Sequence, residues 1–62
     1  MLTSREKEVI ELLMMGKTNK QIAKELCITS HTVKAHLEHI YEKYKVHSRI
    51  ELVIKILKSG QE

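Results

Sequence analysis

The feature that most limits the fold of this 62-residue chain is a helix-start signature that recurs along it. Three pairs, each a Thr or Ser followed three residues later by Glu or Gln, match the capping box: Thr3 with Glu6, Thr18 with Gln21, and Ser48 with Glu51. In a capping box, the hydroxyl and the partner side chain each accept a hydrogen bond from an amide that the helix leaves unpaired. Thr29 is a favourable N-cap by residue type, and Gly16 can end a helix in the left-handed conformation. These signatures divide the chain into short helical segments.

Apolar residues recur at helical spacing inside these segments. In the third segment, Val33, Leu37 and Ile40 follow one another at intervals of four and three residues. No segment alternates with period two, so strands are not expected. A chain of this length forms one domain at most. The sequence predicts an all-α domain over residues 1–62, with four helices over about 4–15, 19–26, 30–44 and 49–58.

The second and third predicted helices are separated only by Cys27, Ile28 and Thr29. Helices joined by so short a turn cannot lie antiparallel, so we expect them to cross steeply, as in a helix-turn-helix motif. Ile28 would close the turn against the core, while Val33 and Leu37 would hold the third helix from beneath.

The face of the third helix opposite Val33 carries side chains that can contact DNA bases. We predict that the base-contacting residues are His31, Lys34, Ala35 and Glu38. Lys34 can donate to guanine or phosphate, Ala35 can contact a thymine methyl group, and Glu38 can accept from cytosine. His31 can donate or accept. All four lie towards the N-terminal end of the helix, which a recognition helix inserts into the major groove.

Positive charge is concentrated in the middle of the chain. Residues 17–37 carry four Lys against one Glu, a net charge of +3, which equals the net charge of the whole chain. A basic region favours an anionic partner, nucleic acid first and a membrane surface second. Polar residues at helix starts can bind phosphate through hydroxyls, free amides and charge. The predicted phosphate-contacting residues are Thr18, Asn19, Lys20, Thr29, Ser30 and Thr32. Taken singly, each is equally an ordinary cap or a solvated surface residue.

The last predicted helix has more apolar surface than one core requires. Six of the eight residues over 50–57 are apolar, whereas a helix docked on a small domain needs a stripe somewhat wider than about 100°. We predict that the surplus residues Ile50, Ile54 and Leu57 form the interface of a two-fold homodimer. Such a dimer, formed in the free protein or only on DNA, would place two recognition helices about one DNA turn apart. The alternative is that the whole apolar arc packs within the monomer.

Several other kinds of site are not expected. Cys27 is the single cysteine, so an internal disulfide is excluded and a reducing compartment is favoured. His36 and His39 are three residues apart but diverge, so we expect no metal. A turn between helices offers neither a pocket nor oxyanion donors, so we expect no enzyme activity and no cofactor. Without a signal peptide or about 18 consecutive apolar residues, the sequence predicts a cytoplasmic protein that does not contact the membrane.

Four sequence motifs occur in order: L-T-x-R-E-x-E-V from Leu2 to Val9, N-K-x-I-A from Asn19 to Ala23, T-V-K-x-H from Thr32 to His36, and V-x-S-R-x-E-L-V from Val46 to Val53. Together they resemble the LuxR-type (GerE-like) DNA-binding domain over nearly the whole chain. The resemblance implies a bacterial transcription regulator with four helices, the third in the major groove and the fourth used for dimerisation. It implies base or backbone contacts at Lys34, Ala35 and Glu38, and phosphate contacts at Asn19, Lys20 and Thr32.

Three residues depart from the common pattern of this family. Cys27 stands where glycine is frequent, Tyr44 replaces a usual leucine, and Glu38 stands where a basic or neutral polar residue is frequent. The resemblance also suggests an ion pair between Glu6 and a basic residue of a later helix, for which Arg49 is the candidate.

Two classes of function remain after these arguments. The first is sequence-specific binding of double-stranded DNA for transcription regulation. The second is a helical protein-interaction module that contacts RNA polymerase or a regulator without DNA specificity of its own. A promoter-recognising sigma-factor domain has a similar pattern, but the late S-R-x-E-L-V motif argues against it. The phosphate-type donors around the third helix favour DNA binding.

Overall fold

The computed structural model describes residues 1–59 and contains four helices over that range. They are α1 (Ser4–Met14), α2 (Asn19–Leu26), α3 (Ser30–Tyr44) and α4 (Arg49–Ser59). The prediction of an all-α fold with four helices is therefore confirmed, and each boundary lies within one residue of its predicted position. The predicted end of the domain, at residues 60–62, lies outside the described residues.

Two of the predicted capping boxes are complete. At the start of α1 the Glu6 amide donates to Thr3 Oγ1 (3.1 Å), and the Thr3 amide donates to Glu6 Oε1 (2.8 Å). At the start of α2 the Gln21 amide donates to Thr18 Oγ1 (3.2 Å), and the Thr18 amide donates to Gln21 Oε1 (2.9 Å). Each box pairs two amides that lack helical acceptors, which sets where the helix begins.

The third predicted box, before α4, is only half formed. The Glu51 amide donates to Ser48 Oγ (3.2 Å), as predicted. The Ser48 hydroxyl then donates to Glu51 Oε2 (3.3 Å), so this carboxylate bonds to the cap side chain instead of the cap amide.

One apolar core is shared by all four helices. Its buried residues are Val9, Ile10, Leu13, Ile22, Ala23, Val33, Leu37, Ile40, Val46 and Leu52. Val33 is fully buried and Leu37 is nearly so, which confirms that they hold α3 from beneath. Ile28 is half-buried and packs against the same core, so the α2–α3 turn is closed as predicted.

A buried carboxylate joins α1 to α3. Glu6 is only 4% exposed, and Lys43 Nζ donates to its Oε1 (2.6 Å) and to the Met1 carbonyl (2.9 Å). The predicted pairing of Glu6 with Arg49 is therefore wrong. The hydrogen bond from Lys43, reinforced by the one from the Thr3 amide, lowers the pKa of Glu6 from 4.5 to about 2.

Helix α4 packs on the core through one side only. Leu52 is fully buried, and Val53 and Ile56 are half-buried against the core. The three residues predicted to be surplus are exposed: Ile50 by 71%, Ile54 by 48% and Leu57 by 53%. The alternative in which the whole apolar arc packs within the monomer is therefore wrong.

Candidate nucleic-acid interface

The turn between α2 and α3 determines how α3 leaves the core. Cys27 ends α2 in the left-handed conformation (φ 57°, ψ 42°), and its amide donates to the Lys24 carbonyl (3.4 Å). The Ile28 amide donates to the Ala23 carbonyl (3.0 Å), and Thr29 then caps α3. Since every residue of the turn is held by the backbone or the core, the start of α3 is fixed relative to α2.

The exposed face of α3 carries three of the four residues predicted to contact bases. His31, Lys34 and Glu38 are exposed, while Ala35 is half-buried between them and the core side of the helix. Because Val33 lies on the buried side, this arrangement leaves a cation, an anion and an imidazole on one outward face. These groups can donate to and accept from base edges, and the Ala35 methyl offers a small apolar contact.

The start of α2 presents unpaired amides beside polar side chains. The first helical hydrogen bond runs from the Ile22 amide to the Thr18 carbonyl (2.9 Å), so the Asn19 and Lys20 amides precede it and have no helical acceptor. The Thr18 hydroxyl accepts from Gln21 within the box, so its own proton remains available for donation. Thr18 and Lys20 are exposed, and Asn19 is half-buried. Amides, hydroxyl proton and ammonium together form a group of donors suited to an anion.

The start of α3 offers a second group of donors. The Val33 amide donates to the Thr29 carbonyl (3.1 Å), which leaves the Ser30 and His31 amides ahead of the first helical bond. Thr29 Oγ1 accepts from the Thr32 amide (3.1 Å) and also bonds to Thr32 Oγ1 (2.9 Å). Only one of these two hydroxyl protons is used between them, so the other can be donated outward. Thr29 and Ser30 are exposed, and Thr32 is half-buried.

The side chain of Arg49 reaches from α4 to the start of α2. Its Nη1 donates to Asn19 Oδ1 (3.2 Å), and its Nη2 donates to the Lys17 carbonyl. The sequence did not predict this role, since Arg49 was assigned to Glu6. The available signal was electrostatic: a cation in the first turn of a helix is unfavourable unless a partner outside the helix offsets it.

The lysines of the middle segment remain largely free to meet an anion. Among the described residues, the one ion pair formed there joins Lys17 Nζ to Glu25 Oε2 (3.2 Å). Lys20, Lys24 and Lys34 are exposed. The positive charge expected from composition therefore lies on the surface of α2 and α3.

Metal-ligating side chains do not converge in the part of the chain that the structure describes. His36 is half-buried and His39 is exposed, and no group of three His, Cys, Asp or Glu residues that could hold a metal ion occurs within residues 1–59. Within the same residues, every helix is too short or too polar to cross a membrane.

A three-residue turn between two packed helices, with an exposed polar face on the second, defines a small helix-turn-helix domain. The family model described as "Bacterial regulatory proteins, luxR family" matches residues 1–56. The chain belongs to this family of DNA-binding transcription regulators, as its motifs predicted.

Similar proteins include both a short regulator and longer ones. The chain is 43% identical over 61 residues to the "Spore germination protein GerE" of Bacillus subtilis (strain 168), covering 98% of this chain and 82% of that protein. It is 48% identical over 59 residues to the "Transcriptional regulatory protein DesR" of the same strain, covering 95% and 30% of the two chains. It is 43% identical over 53 residues to the "Nitrate/nitrite response regulator protein NarL" of Escherichia coli (strain K12), covering 86% and 24%. The chain thus spans most of GerE and less than a third of DesR and NarL.

Proposed function

We propose that this protein binds double-stranded DNA sequence-specifically to regulate transcription, with α3 in the major groove and two copies paired through α4. The observation that carries the proposal is the composition of the two sides of α3. Val33 and Leu37 anchor one side in the core, while His31, Lys34 and Glu38 are exposed on the other. A helix held in this way can be inserted into a groove without losing its packing.

Base contacts are assigned to the exposed face of α3 and its half-buried alanine. Lys34 donates to guanine O6 or N7, and Glu38 accepts from cytosine N4. Ala35 contacts a thymine methyl group, and His31 lies at the N-terminal end, where it donates or accepts according to its tautomer. An acidic residue at 38 repels phosphate, so it also restricts which register of the helix on DNA is tolerated.

Phosphate contacts are assigned to the two helix starts. At α2 they come from Thr18, Asn19 and Lys20, through one hydroxyl, one side-chain amide and one ammonium. At α3 they come from Thr29, Ser30 and Thr32. Both starts expose amides at the positive end of a helix dipole, and this charge distribution attracts an anion.

The homodimer is assigned to the exposed stripe of Ile50, Ile54 and Leu57. Beside it, a shallow depression at the α3–α4 turn is lined by Lys45, Val46, Glu51, Ile54, Lys55 and Lys58. In an antiparallel pairing, Glu51 near the start of one α4 lies close to the lysines near the end of the other. In this pairing, the apolar stripe of one α4 packs against the same stripe of the other, and the charged groups beside it lie opposite groups of opposite charge.

Measurement of the affinity for a DNA duplex at several salt concentrations tests the DNA-binding proposal. Wild-type protein is expected to lose affinity steeply as the salt concentration rises. In a plot of the logarithm of the binding constant against the logarithm of the salt concentration, the slope should be about −0.9 per phosphate neutralised. Lys34→Ala should weaken binding to a selected operator by roughly 5- to 150-fold and relax base preference at one position, because a base contact is lost. Lys20→Ala should instead weaken binding to all DNA sequences similarly and reduce the magnitude of the salt slope by about one.

Lys7→Ala is the matched control, because Lys7 is an exposed lysine on α1, a helix that carries none of the proposed DNA contacts. It should leave both affinity and slope nearly unchanged. If the folded wild type does not bind any duplex at low salt, DNA binding is wrong. Contact with RNA polymerase or a regulator would then be the function to test.

A further inference from the structure

The guanidinium of Arg49 contacts two acceptors in one short segment, residues 17–19. Nη1 donates to Asn19 Oδ1 (3.2 Å) and Nη2 donates to the Lys17 carbonyl. Arg49 and Asn19 are both half-buried, so their contact is partly shielded from solvent. The planar guanidinium can satisfy two acceptors at once in a fixed orientation, which the ammonium of lysine cannot do.

Arg49 carries its positive charge at an electrostatically unfavourable position. It is the first residue of α4, where the positive end of the helix dipole disfavours a cation. The hydrogen bonds to the start of α2 offset this unfavourable placement. Arg49 therefore connects two elements by hydrogen bonds: α4, the helix proposed to dimerise, and the start of α2, which is proposed to bind phosphate.

The contact engages one end of the Asn19 side-chain amide and leaves the other end for a different partner. A primary amide has an oxygen that accepts and a nitrogen that donates two hydrogens. Because Oδ1 is held by Arg49, the Nδ2 group is left to bond elsewhere. Without Arg49, the amide could turn by about 180° and present its oxygen instead. An oxygen facing a phosphate would be repelled, whereas an N–H group is attracted.

We propose that Arg49 is a positioning residue for DNA binding: it orients the Asn19 amide so that its N–H groups donate to the DNA backbone. This inference rests on the proposed phosphate contact of Asn19. Arg49 itself makes no contact with DNA in this arrangement, and its effect on affinity passes through Asn19.

A double-mutant cycle on duplex binding tests the dependence on Asn19. Arg49→Met is expected to weaken binding by about 10-fold in the wild-type background, as for loss of one hydrogen bond to a charged group. In the Asn19→Ala background, the same change should have less than about a 2-fold effect, because the positioned group is already absent. Arg49→Lys, which keeps the charge but not the two-pronged geometry, should behave like Arg49→Met. Lys7→Met controls for the loss of one positive charge.

A second variant separates positioning from stability. Asn19→Asp keeps the acceptor for Arg49 and so preserves the fold, but it replaces the donor by a carboxylate. It should retain the wild-type melting temperature and bind DNA more weakly than Asn19→Ala, because the carboxylate repels phosphate.

The nuclear magnetic resonance spectrum provides a readout that does not depend on DNA. Asn19 is the only asparagine in the chain, so its side-chain amide pair is identified as the asparagine signal that disappears in Asn19→Ala. Arg49→Met should shift this pair in the free protein, while Lys7→Met should not.

The two ways of failing are distinct. If wild-type protein binds DNA but Arg49→Met is equally harmful with and without Asn19, Arg49 does not act through Asn19 and the inference is overturned. An unshifted Asn19 signal in Arg49→Met overturns it as well. If wild-type protein binds no duplex, the proposed function itself has failed, and this inference fails with it.

Discussion

Two helices of this protein end on residues with side chains in a conformation that glycine adopts most easily. Cys27 ends α2 and Lys45 ends α3, each with φ 57°, whereas Gly16 follows the end of α1 with φ 84°. A side chain in the left-handed region costs roughly 1–2 kcal/mol because its Cβ approaches the following carbonyl oxygen. Family resemblance pointed to residue 27 as a departure from glycine, and the structure provides the physical meaning of that departure.

Replacing Cys27 by glycine should therefore stabilise the protein. The expected gain in the free energy of unfolding is about 0.5–1 kcal/mol, since relief of strain exceeds the greater entropy of glycine in the unfolded chain. The midpoint of urea unfolding, at an unchanged slope, measures this gain. Cys27→Ala keeps the Cβ and should show little gain. A lower midpoint for Cys27→Gly than for Cys27→Ala would contradict the explanation.

At the scale of elements, the hydrogen bonds of Glu6 join the N-terminal segment, α1 and α3. Its Oε1 accepts from the Thr3 amide and from Lys43 Nζ, and the same ammonium donates to the Met1 carbonyl. A buried carboxylate that loses its cation would be left uncompensated, so the pair is far more important to the fold than the exposed pair of Arg5 and Glu8 (3.8 Å). Helix α1 is thus attached to α3 by charge as well as by apolar packing.

This ion pair predicts a specific response to acid. The pKa of Glu6 is about 2 in the folded protein against an ordinary value of 4.5, so its stabilising effect is complete above pH 4.5 and is lost as the pH falls towards 2. Urea unfolding at several pH values should show this loss in wild type. Glu6→Gln should be less stable at pH 7 and should lose less additional stability over the acidic range.

Glu8→Gln is the matched control, because Glu8 lies on the same helix in an exposed pair. Its stability should follow that of wild type at every pH. If Glu6→Gln and wild type have parallel acid profiles, the lowered pKa of Glu6 does not contribute to stability.

At the scale of the whole molecule, the two proposed surfaces lie on different helices. The residues proposed to contact DNA lie on α2 and α3 or at their N-caps, while the exposed apolar stripe of Ile50, Ile54 and Leu57 is on α4. Pairing through α4 would therefore leave α3 of both copies free to contact DNA. A dimer that contacts DNA through both copies then binds more tightly than a single copy does.

Ile54→Glu should remove this advantage without changing the contact of one copy with DNA. Wild type is expected to bind a duplex with two half-sites, about 10 base pairs apart, more tightly than a duplex with one. Ile54→Glu should bind both duplexes like a single copy, because burying a carboxylate in an apolar interface is unfavourable. Electrophoretic mobility of the complexes gives the number of bound copies.

Met15→Glu provides a control, since Met15 is an apolar residue outside α4 that is even more exposed than Ile54 (69% against 48%). It should retain the preference for two half-sites. If Ile54→Glu also retains that preference, the stripe on α4 is not the interface, whatever the stoichiometry on DNA.

Local sequence determined the helices and their starting points, because the relevant interactions lie within three or four residues. The boxes at Thr3 and Thr18, the apolar spacing of α3 and the exposed stripe of α4 all follow from such short intervals. For the same reason, the exposed face of α3 was predictable except for Ala35, which is half-buried. The family motifs then predicted that the chain belongs to a family of DNA-binding transcription regulators.

Only the tertiary structure decided which charged groups meet. Lys43 and Glu6 are 37 residues apart, and Arg49 and Asn19 are 30 residues apart. The family resemblance suggested that Glu6 pairs with a basic residue of a later helix, but the candidate named for it, Arg49, is the wrong one. Lys43 faces α1 and Arg49 faces the start of α2 because the core fixes how α3 and α4 lie against the first two helices. Side-chain partners separated by so many residues depend on that packing, which local sequence does not specify.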